Sequence, residues 1–134
     1  KGQRGEREAA EILQQVVNRV YMNAGRTPPV VKRNLQQSRE GGHDLVGIDF
    51  VSIEVKYHET SHISNWWEQC LTQARATGGW PVLLHRSNFQ PWRVRTHGFM
   101  ITDGSRVKMV VDISLDAFLV WLETRLKEEV AKLP

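Results

Sequence analysis

The chain is expected to be an α/β protein with a mixed central β-sheet flanked by helices. Three features point there: an amphipathic helix pattern at each end, two groups of strand-like runs between them, and only one helix separating those groups. A single crossover helix suits a mixed sheet better than a doubly wound one. At 134 residues one hydrophobic core suffices, so residues 1–134 read as one domain.

Arg7 to Met22 reads as the first helix, with Ala9, Ile12, Leu13, Val16, Val17 and Val20 recurring at three- and four-residue steps. Asn23, Gly25 and Pro28-Pro29 end it, and Val30 to Leu35 can be extended. After a turn at Gly41-Gly42, Asp44 to Phe50 and Val51 to Tyr57 read as antiparallel strands joined through Gly47-Ile48-Asp49. Ser64 is the expected N-cap of a helix from Asn65 to Ala76, stopped by Gly78-Gly79. Further strands are expected at Trp80 to His85, Arg93 to Thr96, Gly98 to Ile101 and Val107 to Ile113, the last two joined by Asp103-Gly104. Ser114 then caps a final helix lined by Leu115, Phe118, Leu119, Leu122, Leu126 and Val130.

Composition excludes several classes. Hydrophobic residues make up 40% and charged residues 25%, ordinary for a globular protein, and no apolar run reaches the roughly 20 residues of a membrane span. The lone Cys70 can form neither an intrachain disulfide nor a thiolate zinc site, which favours a reducing compartment. No secretory signal is visible and a cytoplasmic location is expected, while a start at Lys1 reads as processing or trimming. The net charge of +3 is unevenly spread, with residues 44–74 acidic and residues 1–43 and 75–108 basic. Such a pattern suits a metal site at the centre and phosphates around it, although scattered solvated charge would look similar.

The chemistry concentrates at Asp44 and the run Ile53-Glu54-Val55-Lys56. Glu54 and Lys56, two apart on a strand, share a face, while Val55 points into the core. A hard cation such as Mg²⁺ takes oxygen ligands, here Asp44, Glu54 and the backbone carbonyl of Val55, with Glu6 as a further acid. Lys56 would orient a water or offset phosphate charge. An Asp at a turn and a Glu-x-Lys on a strand are also common surface chemistry, so spacing alone is weak.

Neighbouring residues strengthen it, because the chain resembles the PD-(D/E)XK nuclease superfamily and, more closely, the archaeal-type (Hjc-like) Holliday junction resolvases. Lys1-Gly2-Gln3-Arg4-Gly5-Glu6-Arg7-Glu8 resembles that family's Lys-Gly-x-x-x-Glu-Arg-Glu opening; Gly42-His43-Asp44-Leu45-Val46 resembles its Asp-Leu-Val segment; Ile53-Glu54-Val55-Lys56 matches its Ile-Glu-Val-Lys strand. Gly78-Gly79-Trp80-Pro81-Val82-Leu83 and Trp92-Arg93 follow in the family's order. His43 stands where the superfamily has Pro, the segment before Asp44 is long, and Ser38 and Arg39 match only loosely.

The resemblance implies a restriction-endonuclease-like core over about 1–96, with residues of about 97–134 as an added C-terminal strand-strand-helix segment. It also implies catalysis by Glu6, Asp44, Glu54 and Lys56, with Mg²⁺, replaceable by Mn²⁺, and a homodimer acting on branched DNA, four-way junctions preferred. Recombination, replication or repair in a prokaryotic or virus-infected cell would be the setting. Two alternatives stay open: a nuclease of the same fold cutting flaps or linear duplex in repair or restriction, and a DNA-binding module that does not cleave.

Gln69 is the expected supporting residue of the middle helix, ahead of Gln73, and Arg4, Arg7, Lys32, Arg33 and Arg39 are candidate phosphate contacts. Trp66 and Trp67 are adjacent, so one is expected in the core and the other exposed. His43, His58 and His62 lack a zinc-ligand spacing. Trp121 beside the apolar stripe of the last helix could serve a dimer interface.

Overall fold

Six strands follow chain order across one sheet, β1 (Lys32–Arg33), β2 (Leu45–Val46), β3 (Val51–His58), β4 (Trp80–Ser87), β5 (Arg93–Ile101) and β6 (Arg106–Ser114). The computed structural model describes residues 2–35, 44–58 and 62–134. Only β3 and β4 pair in parallel, and α2 (Ile63–Thr77) makes the crossover that a parallel pair requires. All other neighbours are antiparallel. This is the expected mixed sheet flanked by helices.

Alternation along β3 decides what each face of the sheet holds. Val51, Ile53 and Val55 enter the main core with Val82 and Leu84 of β4, covered by α1 (Gly2–Asn23) and α3 (Leu115–Ala131). The opposite face packs Leu83 under α2, where Trp66, Trp67 and Cys70 are buried. Ser114 caps α3 as expected, its Oγ accepting from the Ala117 N–H at 3.1 Å.

Several boundaries differ. Helix α1 starts at Gly2, five residues before the expected start at Arg7, because its first turn is anchored by packing: a Cβ at Gly5 would lie 2.8 Å from Cβ of Tyr57. The N-cap of α2 is His62, with no side-chain cap bond, so Ser64 lies inside the helix. Its C-terminus ends as expected, on Gly78 in the left-handed conformation (φ 80°). Arg93–Thr96 and Gly98–Ile101 are one strand, since β6 pairs with β5 along its whole length. Both tryptophans are buried, at 6% exposure each, because α2 straddles the sheet: Trp66 stacks on His58 of β3, and Trp67 meets His97 of β5 edge-on.

Candidate active site

Asp44 is fixed before its side chain does anything. Its N–H donates to the Ile53 carbonyl and its carbonyl accepts from the Asn34 N–H, both at 2.8 Å, tying the residue between β3 and the end of β1. Its Oδ2 then accepts from the Val55 N–H at 2.7 Å. The carboxylate is thereby held over β3 beside Glu54, whose side chain hydrogen-bonds with it.

Both acids are 5% exposed. Burial, then the neighbouring Asp44 charge and the hydrogen bond to it, push the Glu54 carboxyl from 4.5 up to about 8. Lys56 opposes that shift and Glu6 adds to it, so all four sequence-predicted residues lie within electrostatic reach of Glu54. At neutral pH the pair holds a proton between two carboxyl groups, and a divalent cation is the natural replacement for that proton. The donor set therefore fits a hard metal ion, with Asp44 and Glu54 as its side-chain ligands. Among the described residues, no group of three or more His, Cys, Asp or Glu side chains forms a metal cluster.

Glu6 is half-buried and its Oε1 accepts from Nε of Arg33 at 2.8 Å. Arg33 thus bridges β1 to α1, which makes it a holder of Glu6 in addition to a candidate phosphate contact. Lys56, half-buried on the Glu54 face, pairs in register with His85. Arg4, Arg7 and Lys32 are exposed, and Arg39 lies outside the described residues, as do His43, Ser38 and the Gly41-Gly42 turn. Gln69 and Gln73 follow the flank of α2 that Trp66 turns toward β3; Gln69 is exposed and Gln73 half-buried.

Two features escaped the sequence. Cys70 packs against Glu54, and burial followed by that carboxylate pushes its thiol up to about 12, an inert floor to the site. Glu8 accepts from both Arg86 and Trp92, the latter at 2.7 Å, clamping the helix that carries Glu6 to β4 and to the residue that leads into β5. Neither is visible locally, because the partners are remote in sequence. A cavity of about 650 Å³ lies elsewhere, among Trp80, Phe99, Phe118 and Trp121, away from the acids.

A family model described as phage PDDEXK endonuclease matches residues 1–113. Among solved structures, the fold is similar to that of Hjc, a Holliday junction resolvase of Archaeoglobus fulgidus, with a TM-score of 0.52 and 17% identity over 89% of this chain and 95% of that one. No curated protein matches the sequence.

Proposed function

Given that the chain belongs to the phage PDDEXK endonuclease family and shares its fold with a Holliday junction resolvase, we propose that it is a Mg²⁺-dependent endodeoxyribonuclease that cuts branched DNA, four-way junctions preferred. The observation that carries this reading is the buried Asp44–Glu54 pair with Lys56 on the same strand face. Asp44 and Glu54 would hold the ion, with Val55 contributing its carbonyl, and Mn²⁺ would substitute. The ion would stabilise charge on the phosphate and acidify a water. Lys56 places an ammonium on that face, where it orients the nucleophile and offsets phosphate charge, and Glu6, steadied by Arg33, sets the local field. Gln69 or Gln73 on α2 would support the same pocket, and Arg4, Arg7, Lys32, Arg33 and Arg39 would meet phosphates.

Two copies would place two such sites on opposing strands of a junction, in the host cytoplasm during recombination, replication or repair. Support for a homodimer comes from β6, an edge strand with Val107 and Val110 exposed beside Phe99, Met100 and Ile101 of β5. Cleavage of a synthetic four-way junction and of linear duplex of the same sequence, each with Mg²⁺ and with EDTA, tests the function. Symmetric Mg²⁺-dependent nicks on the junction support it. Equal cutting of both substrates points to a flap or duplex enzyme instead, and tight binding without product to a non-cleaving module.

A further inference from the structure

Phe89 is 97% exposed at the tip of the β4–β5 connection, and it is the non-glycine residue with positive φ (63°) among those described. The Gln90 N–H donates to the Ser87 carbonyl at 3.1 Å, which closes a four-residue turn with Phe89 in its third position. With φ positive only there, the turn is of the kind that favours Gly or Asn at that place. A bulky residue held in a left-handed conformation is strained, and strain of this kind gathers at functional sites, here with the ring wholly in solvent.

The tip is also braced. Nε of Arg86 donates to the Gln90 carbonyl at 2.8 Å, while the same guanidinium pairs with Glu8 on α1 and lies over the Tyr57 ring at 5.1 Å. The hairpin is therefore tied to the helix that carries Glu6. Register sets Lys56, His85 and Arg93 abreast across β3, β4 and β5, so the cations of Lys56 and Arg93 flank His85, whose imidazole pKa is held below its ordinary range by burial, between the candidate site and the root of this hairpin. Phe89 lies four positions beyond His85, which at about 3.3 Å per residue puts an upper bound of about 13 Å on the chain between them, no more than about four nucleotides along a strand.

Resting on the nuclease reading above, we propose that Phe89 is a wedge that stacks on a base left unpaired or unstacked at the branch point of DNA, with Arg93 on the adjoining phosphate. Apolar side chains inserted between bases, and aromatic rings under exposed bases, are established physical modes of DNA contact.

The test uses the full chain with Ca²⁺ in place of Mg²⁺, a four-way junction carrying 2-aminopurine at the branch point, and linear duplex of the same sequence. Phe89→Gly relieves the backbone and removes the ring, so its Tm should equal or exceed that of the parent. Its junction affinity should fall about tenfold with the 2-aminopurine signal lost, while duplex affinity holds. Phe89→Trp should keep both signal and affinity. Unchanged junction binding by Phe89→Gly, an equal loss on duplex, or a lowered Tm would each overturn the wedge alone. A parent chain that binds neither DNA would overturn the wedge and the nuclease reading together.

Discussion

The proton on Glu54 connects the site to a measurable property of the whole chain. Its folded carboxyl sits near 8 against an ordinary 4.5, so the folded state binds that proton more tightly than the unfolded one. This contribution to stability is complete below about 4.5 and is lost as pH rises toward 8. We expect the metal-free Tm to fall between pH 5 and pH 9, Mg²⁺ to raise Tm more at the alkaline end, and Glu54→Gln to flatten the slope, all by thermal scans at each pH. A metal-free Tm indifferent to pH would contradict the buried shared proton. Much of this site was legible in the chain, since Glu54 and Lys56 two apart around an apolar Val55 dictate one face of a strand. What stayed hidden depended on remote partners: Cys70 under Glu54, Arg33 on Glu6, and two adjacent tryptophans that straddle the sheet where one was expected in solvent.

At the level of elements, a cap is legible where a side chain bonds the helix backbone, as at Ser114, and not where none does, as at His62, which displaces Ser64 into α2. Ser114 was identifiable because a cap bond spans three residues, and Ser114→Ala should cost about 1 kcal/mol in urea unfolding. The start of α1 is not legible in the sequence because Gly2 to Glu6 carry no apolar stripe, and packing of Gly5 on Tyr57 holds them instead. Arg86 and Trp92 meet there on Glu8, at sequence separations of 78 and 84 residues. Glu8→Ala should therefore destabilise by about 1–2 kcal/mol, the range for a partly buried charged bond with a donor left unpaired. Exposed Glu11→Ala on the same helix should change stability by less than about 0.5 kcal/mol. Equal effects of the two in denaturant titrations would mean the clamp does not hold α1.

For the whole molecule, the mixed sheet with a single crossover helix followed from the order of periodic segments, and the structure makes β3–β4 its parallel pair. The continuous β5 did not, because the pairing of β6 through His97 is what joins the expected strands Arg93–Thr96 and Gly98–Ile101 into one. That pairing leaves β6 at the edge, where a two-fold centred on Val110 would set Lys108 opposite Asp112 of a second copy. Gel filtration with light scattering should give twice the 15.4 kDa chain mass, and Val110→Lys should shift it toward the monomer. A monomer at all working concentrations would remove the symmetric account of junction cutting. The central claim, that Asp44 and Glu54 form the metal-dependent cutting site, is tested most directly by junction cleavage with Asp44→Asn in Mg²⁺. Loss of at least about a hundredfold in rate with junction binding retained is the expected result, and turnover at the parent rate would contradict it.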